Sequence, residues 1–208
     1  MGDSSYRVGV LGATGAVGST ILEILAERNF PASEVVPFAS ERSAGKTLPF
    51  GDGEITCVVP GEETIQGIDI LISSAGGSVS AEWAPKFVEA GAVVVDNTSY
   101  WRMHEDVPLV VAEVNPEAAA NHKGIIANPN CTTMVMMLVV APIHREAGLE
   151  RLILSRYQAV SGTGQKAIEE LTRQAGQVLA EDQVSDPDVY PHQIAFNAIP
   201  HVDSFLDS

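Results

Sequence analysis

The sequence predicts an α/β fold with a mostly parallel sheet and helices on both of its faces. Three observations lead to this prediction. Short runs of Val, Ile and Leu recur up to Asn130, and they are continuously apolar, as in parallel strands buried on both faces. Stretches with helical spacing of apolar residues lie between several of these runs. A glycine-rich turn joins the first run to the first helical stretch.

The predicted elements follow in chain order. Apolar runs bounded by turn residues predict strands at 6–11, 34–40, 55–59, 68–77, 92–99, 109–115 and 124–130. Amphipathic or apolar stretches predict helices at 19–27, at 79–90, from Cys131 onward and at 166–180. The segment 151–160 alternates in character and predicts a strand of another kind of domain. We therefore predict a boundary near Cys131, with residues 1–131 as one domain and 132–208 as the start of a second, α+β domain.

Composition and charge exclude several classes of function. The formal net charge is −15, and repulsion would oppose binding to a nucleic-acid backbone. The longest apolar run, 134–143, is too short for a membrane span, which takes about 20 residues, and the N-terminus has no signal-peptide pattern. The two cysteines, Cys57 and Cys131, lie far apart and have neither disulfide nor metal-site spacing. We expect no metal, no membrane or nucleic-acid partner, and a reducing, cytoplasmic setting.

The motif GATGAVG follows the first predicted strand directly. Its glycines Gly12, Gly15 and Gly18 have the spacing GxxGxxG, a variant of the dinucleotide-binding GxGxxG. A tight turn that opens a helix directs backbone N–H groups at an anion, so the motif favours a Rossmann-like nucleotide site. The alternative is a glycine turn without a ligand. A second loop of small residues, 73–77, follows another predicted strand.

The motif SERSAGK, residues 40–46, follows the second predicted strand. An acidic residue at this place would bind the 2′-hydroxyl of NAD. Here Arg42, the serines Ser40 and Ser43, and Lys46 together form a plausible site for a 2′-phosphate, because a guanidinium binds phosphate oxygens in a fork. The motif therefore favours NADP over NAD, although Glu41 and a simple solvated loop leave the alternative open.

Cys131 lies between a turn and a long apolar stretch. A helix N-terminus stabilises the thiolate, which is the nucleophilic form of cysteine. Asn130 and Thr132 could donate hydrogen bonds to an oxyanion formed beside the sulfur. A buried structural cysteine is the alternative, and it is our prediction for Cys57. A nucleotide domain with a cysteine nucleophile indicates redox chemistry between an aldehyde and an acyl thioester.

Six motifs together resemble successive blocks of the aspartate-semialdehyde dehydrogenase family. They are GATGAVG, SERSAGK, VVDNTSYWR, NPNCTT, YQAVSGTG and FNAIPHVD, in this order. The resemblance covers essentially the whole chain, and NPNCTT followed by YQAVSGTG is its most specific part. The N-acetyl-glutamyl-phosphate reductases share the same plan with less similar blocks.

The resemblance implies NADPH-dependent reduction of L-aspartyl-4-phosphate to L-aspartate 4-semialdehyde and phosphate. This step leads to lysine (through diaminopimelate), methionine and threonine. The implied catalytic residues are Cys131, the thioester nucleophile, and its neighbour Asn130. The implied substrate residues are Arg102, for phosphate, and Gln158. The implied NADP-binding residues are Thr14, Gly15, Ala16, Val17, Arg42, Ser43, Ser161 and Gly162.

The resemblance also implies a longer protein that forms a homodimer or homotetramer. Family members continue beyond the place where this sequence stops, and that part carries the general acid/base histidine. We therefore expect the 208 residues to be a partial chain that lacks turnover, binds NADP weakly and frays beyond Ala159. Two other readings stay open: a non-catalytic NADP-binding protein, and a cysteine hydrolase that pairs Cys131 with a histidine and uses no cofactor.

Overall fold

The computed structural model describes residues 5–200. The strands are β1 (Tyr6–Leu11), β2 (Ala32–Phe38), β3 (Thr47–Phe50), β4 (Gly53–Thr56), β5 (Ile70–Ser73), β6 (Val93–Asp96) and β7 (Ile125–Ala127). The helices are α1 (Ala16–Glu27), α2 (Gly77–Glu89), α3 (Cys131–Ala147) and α4 (Gln165–Leu179). The contacts divide the chain into two compact units, Met1–Ile153 and Leu154–Ser208. The motif FNAIPHVD continues past Pro200, and its residues from His201 lie outside the described part.

The first unit is built on a five-stranded sheet in the order β2-β1-β5-β6-β7, and every pair in it is parallel. Alternate side chains of a strand point to opposite faces. On one face Val8 and Val10 pack with Leu22 of α1. On the other face Leu71 packs with Phe87 of α2. The predicted α/β fold, a mostly parallel sheet with helices on both faces, is confirmed.

The strand predicted at 55–59 does not join the parallel sheet. Residues Gly53–Thr56 pair antiparallel with Thr47–Phe50 in a separate hairpin, which the sequence analysis missed. Gly51 has φ +57°, the left-handed conformation that a tight hairpin turn needs and that glycine adopts without strain. Val58 adds a single parallel bridge to Phe38.

The strand predicted at 109–115 is wrong, because the chain turns back on itself there. Leu109 forms one parallel bridge with Ala127. The side chain of Asn115 then accepts a hydrogen bond from the backbone N–H of Val111 (2.8 Å) and donates one to the carbonyl of Leu109 (3.0 Å). Asparagine side chains compete in this way with the sheet for backbone groups.

The strand predicted at 151–160 is also wrong. Apart from a short 3-10 helix that begins at Val160, this segment has no regular structure. No strand within residues 5–200 pairs with it, and a strand needs partners for its N–H and C=O groups. Its apolar side chains are exposed, with 85% exposure for Ile153 and 88% for Tyr157.

Helix α3 is apolar along most of its length, and yet only Ala141 is buried. Val135 and Val139 are among its exposed side chains. None of the helices within residues 5–200 combines the length and the apolar character that crossing a bilayer requires.

The second unit is organised by α4. Within the described part of this unit, the buried residues are Ala167, Glu170 and Gln174 of α4, and Ala195 after it. The Glu170 carboxylate accepts from the backbone N–H groups of Asp188 (2.7 Å) and Val189 (2.6 Å). The Gln174 carbonyl accepts from those of Ile194 (3.0 Å) and Ala195 (3.3 Å). Two buried polar side chains therefore tie the irregular segment after α4 to the helix.

Candidate active site

The turn after β1 leaves no room for a side chain at Gly12 or Gly18. Gly12 has φ +87°, and a Cβ on it would lie 2.8 Å from the Cα of Ala75. A Cβ on Gly18 would lie 2.1 Å from the carbonyl oxygen of Gly12. Both approaches are far below van der Waals contact, so only glycine fits. Between these two glycines, the turn residues Thr14, Gly15 and Ala16 are partly exposed.

Two helices begin next to each other at the carboxyl ends of adjacent strands. Helix α1 follows β1, and α2 follows the adjacent strand β5, whereas β2 lies on the other side of β1. This is the topological switch point at which open α/β sheets bind ligands. Gly15 and Gly76 precede the two helices, and neither helix has a side-chain cap. The first N–H groups of both helices are therefore not used by capping side chains, and they suit an anion.

Arg42 and Ser43 lie in a short 3-10 helix, Glu41–Ser43, that follows β2. The Arg42 side chain is exposed, and within residues 5–200 it forms no hydrogen bond or ion pair. Because β2 is the parallel neighbour of β1, this turn and the glycine turn both lie at the carboxyl ends of the strands. Arg42 therefore lies where a side chain that binds a 2′-phosphate is expected, and its guanidinium is accessible to such a group.

Cys131 is the first residue of α3, and it is exposed. The Oδ1 atom of Asn130 caps the helix by accepting from the Thr132 N–H (3.2 Å) and hydroxyl (2.6 Å). An oxygen must face these donors, so the amide nitrogen of Asn130 points away from the turn. The Thr132 hydroxyl proton is directed at Asn130, so in this structure the helix cap takes the hydroxyl donor that was predicted for an oxyanion.

Arg102 is tied to the same turn. Its Nε donates to the carbonyl of Asn128 (2.8 Å), three residues before Cys131, and its Nη2 donates to the carbonyl of Asn97 (3.1 Å). These carbonyls follow the adjacent strands β7 and β6. A guanidinium has five N–H donors, so others remain for an anion. The structure thus brings the predicted Arg102, Asn130 and Cys131 together.

The second predicted group lies in the second unit. Gln158, Ser161 and Gly162 are close in sequence, and the last two belong to the 3-10 helix Val160–Thr163. A Cβ on Gly162 would meet the Gln158 Nε2 at 3.3 Å, so the Gln158 side chain lies against this glycine. The structure brings these three residues together within their own unit.

Cys57 behaves as predicted for a structural cysteine. It is 2% exposed, and burial raises the pKa of its thiol, with a smaller opposing effect from Lys46. Burial disfavours the thiolate, so Cys57 is a poor nucleophile. Within residues 5–200 no cluster of three or more His, Cys, Asp or Glu side chains could hold a metal ion.

Sequence reasoning missed a polar network behind Arg102. Asp96, Ser80 and Thr98 are all buried, and they are joined to one another and to Trp101 by hydrogen bonds. One signal was available: an aspartate that ends a strand two residues before a threonine, which is the pattern of a local side-chain turn.

Comparison with known proteins identifies relatives over nearly the whole chain. The family model "Semialdehyde dehydrogenase, NAD binding domain" matches residues 7–122, and "Semialdehyde dehydrogenase, dimerisation domain" matches residues 140–208. The aspartate-semialdehyde dehydrogenase of Aquifex aeolicus is 53% identical over 205 residues, 97% of this chain and 60% of that protein. That of Bacillus subtilis is 45% identical over 209 residues, 97% of this chain and 60% of that protein.

Solved structures lead to the same relatives. Aspartate semialdehyde dehydrogenase II of Vibrio cholerae, complexed with ASA, superposes with a TM-score of 0.94 at 45% identity, over 98% of this chain and 61% of that one. The Candida albicans enzyme with NADP superposes with a TM-score of 0.57 at 30% identity, over 70% of this chain and 48% of that one. The chain spans about 60% of the length of the curated relatives that it matches. By the match of its nucleotide-binding part, the chain belongs to the semialdehyde dehydrogenase family.

Proposed function

We propose that this chain carries the cofactor site and the nucleophile of an NADPH-dependent reduction of L-aspartyl-4-phosphate to L-aspartate 4-semialdehyde and phosphate. One observation carries the proposal: Arg102 is hydrogen-bonded to the turn from which the exposed Cys131 begins α3. A cationic phosphate binder and a nucleophile at one turn are what an acyl phosphate requires. Relatives named aspartate-semialdehyde dehydrogenase support the choice of substrate.

The chemistry begins with attack by the Cys131 thiolate on the acyl carbon. A sulfur–carbon bond forms, the carbon–oxygen bond to phosphate breaks, and phosphate leaves with the electron pair. Arg102, held by the two carbonyls, stabilises the charge on the leaving phosphate. The α3 N-terminus and the Asn130 amide stabilise the oxyanion of the tetrahedral intermediate. NADPH, when bound, supplies the hydride that reduces the acyl group.

The turn at Thr14, Gly15, Ala16 and Val17 fits the pyrophosphate of a dinucleotide, because it opens α1 without a side-chain cap and because Gly12 and Gly18 allow strand, turn and helix to approach closely. Its N–H groups would hold the anion at the start of α1. We assign the 2′-phosphate of NADP to Arg42 and Ser43. The solved Candida albicans relative with NADP supports this cofactor. In the second unit, Gln158 would orient the substrate, and Ser161 with Gly162 would approach the cofactor.

Replacing Arg42 tests the choice of cofactor. Arg42→Ala should weaken NADP binding by about 1.5–3 kcal/mol, the value of a charge-assisted hydrogen bond, and leave NAD binding nearly unchanged. The measurement is titration calorimetry with both cofactors. Arg28→Ala, at the C-terminal end of α1, is the matched control for the loss of one exposed arginine. An equal loss for NAD and NADP would show that Arg42 does not bind the 2′-phosphate.

Trapping the acyl enzyme tests the nucleophile. We expect the chain, mixed with L-aspartyl-4-phosphate in the absence of NADPH, to gain the mass of one aspartyl group on Cys131 and release phosphate. Cys131→Ser should abolish this adduct, whereas Cys57→Ser should retain it, because Cys57 is buried. Mass spectrometry of the intact chain and of its peptides measures both. An adduct on another residue would refute the assignment.

We infer that residues 1–131 form the NADP-binding part and that 132–208 belong to the catalytic and dimerisation part. The family models leave 123–139 between their matches, whereas the contacts keep α3 in the first unit. The name of the second family model supports a homodimer. The resemblance to aspartate-semialdehyde dehydrogenases implies a role on the route to lysine, methionine and threonine.

A further inference from the structure

Asp96 is a buried carboxylate at the end of β6, directly before the turn that carries Arg102. It is 0% exposed, and none of its interactions within residues 5–200 is with Lys, Arg or His. Burying a carboxylate is costly unless hydrogen bonds satisfy it. A residue that is buried at such a cost, beside a proposed phosphate site, requires an explanation.

The Asp96 carboxylate is satisfied by neutral donors only. Its Oδ1 accepts from the Thr98 N–H (2.8 Å) and the Thr98 hydroxyl (2.6 Å). Its Oδ2 accepts from the hydroxyl of Ser80 in α2 (2.5 Å). The carboxylate thus joins the beginning of the turn after β6 to a helix of the core.

Each of these donors also holds the residues next to Arg102. The Thr98 oxygen accepts from the Tyr100 N–H (3.2 Å). The Ser80 oxygen accepts from the indole N–H of Trp101 (2.9 Å). Tyr100 and Trp101 are the first two residues of the 3-10 helix Tyr100–Met103, which contains Arg102. Two separate chains of hydrogen bonds therefore run from Asp96 to the helix that presents the guanidinium.

The backbone of Asp96 supplies a third link. Its carbonyl accepts from the Asn128 N–H (2.8 Å), and the Asn128 carbonyl in turn accepts from the Arg102 Nε. The partners on both sides of Arg102 thus converge on one residue. We propose that Asp96 is the positioning residue for Arg102: its buried carboxylate fixes the turn 97–103 so that the guanidinium faces the Cys131 turn. This inference rests on the role proposed for Arg102 above.

Positioning and simple electrostatics predict opposite results when the charge of Asp96 is removed. Iodoacetate is an anion and iodoacetamide is neutral, and both alkylate a thiolate with loss of iodide. The ratio of the iodoacetate rate to the iodoacetamide rate at Cys131 therefore rises when a positive charge lies close to the sulfur. If Asp96 acts only through its negative charge, Asp96→Asn raises the ratio. If Asp96 positions Arg102, the same change lowers the ratio, because the guanidinium moves away.

The test is made in the 208-residue chain with Cys57→Ser as background, at constant ionic strength. We expect Arg102→Gln to lower the ratio about fivefold, the effect of one unit charge across a few ångström of water. Asp96→Asn should lower it about two- to threefold, whereas on top of Arg102→Gln it should not lower it, because only the loss of a negative charge then remains. Thr98→Val keeps the carboxylate and removes the hydroxyl, which donates to Asp96 and accepts from the Tyr100 N–H. It should lower the ratio in the same direction, and it serves where Asp96→Asn does not fold.

The outcomes separate this inference from the proposed function. An unchanged ratio in Arg102→Gln would refute the proximity of Arg102 to Cys131, and with it the proposed phosphate site. A fall in Arg102→Gln together with an unchanged or raised ratio in Asp96→Asn would overturn the positioning role alone. In Thr98→Val an unchanged ratio would do the same.

Discussion

The two compact units of this chain bury different kinds of side chain. In the first unit the fully buried residues include large apolar ones, such as Leu22 on one face of the sheet and Phe38, Leu71 and Phe87 on the other. In the described part of the second unit the buried side chains are two alanines, Glu170 and Gln174. The first unit is stabilised mainly by apolar burial, whereas hydrogen bonds from side chain to backbone organise the second.

This difference has a physical consequence. Apolar burial is non-directional and tolerates small shifts, whereas a buried polar group costs free energy whenever one hydrogen bond is not formed. Within residues 5–200 the buried side-chain atoms without a partner are the Oγ of Ser73 in the first unit and, in the second, the Oε1 of Glu170 and the Nε2 of Gln174. We therefore expect changes in the first unit to reduce its global stability, and changes in the second to open one segment locally.

The largest effect is expected from Phe87→Ala. Phe87 is 0% exposed and packs edge-on against Phe38, with the ring centroids 5.2 Å apart. Loss of a buried phenyl ring should lower the free energy of unfolding of the first unit by about 3–5 kcal/mol. Both tryptophans, Trp83 and Trp101, lie in this unit, so tryptophan fluorescence during denaturant unfolding measures it selectively.

Phe196→Ala is the matched control, since it removes the same ring at a site in the second unit that is 72% exposed. Tryptophan-detected unfolding should then change by less than about 0.5 kcal/mol. Equal losses from the two substitutions would mean that the two units do not unfold independently.

The comparison also explains what could be predicted from the sequence. Strand β1 occupies the predicted residues 6–11, because a continuous apolar run has few alternatives to a buried strand. The segment 151–160 has the pattern of a strand, but pairing depends on a neighbour that local sequence does not reveal. The hydrogen bonds of Asn115, which end the segment at 109–115, depend in the same way on the geometry of one turn.

In the candidate site, too, features with local causes were predictable and features that depend on the folded surroundings were not. The glycine turn and the Cys131 turn were predictable, because glycine spacing and a cysteine at a helix start have local physical causes. Asp96 and Glu170 were not predicted as buried residues, because a carboxylate is ordinarily exposed. Only the donors that surround them in the folded chain explain their burial.

A smaller effect is expected from Glu170→Ala. The substitution leaves the N–H groups of Asp188 and Val189 without their acceptor. This should cost about 1–3 kcal/mol, confined to the segment after α4. Hydrogen exchange at these two amides should become about five- to 150-fold faster, while tryptophan-detected unfolding of the first unit stays unchanged.

Arg173→Ala is the control for the same segment. Arg173 pairs with Asp188 at 2.8 Å, but both side chains are substantially exposed, and such pairs contribute less than about 1 kcal/mol. If Arg173→Ala accelerated exchange as much as Glu170→Ala, burial of the polar contact would not be the source of its strength. A shift in tryptophan-detected unfolding with Glu170→Ala would show that the two units are not independent.

The smallest effect is expected where a polar contact of the first unit is fully exposed. Lys123 donates a hydrogen bond to Asp106, and this bond, with the added Coulomb attraction, lowers the pKa of the Asp106 carboxyl. A lowered pKa stabilises the folded state above the pKa of the unfolded chain, and the contribution is lost as the pH falls through the folded pKa. Lys123→Met should raise the pKa of Asp106, as measured by NMR titration of its carboxyl carbon. Because water screens this exposed pair, tryptophan-detected unfolding should be unchanged at neutral pH. A clear loss of stability there would show that polar contacts in the first unit contribute without burial, and the contrast between the two units would fail.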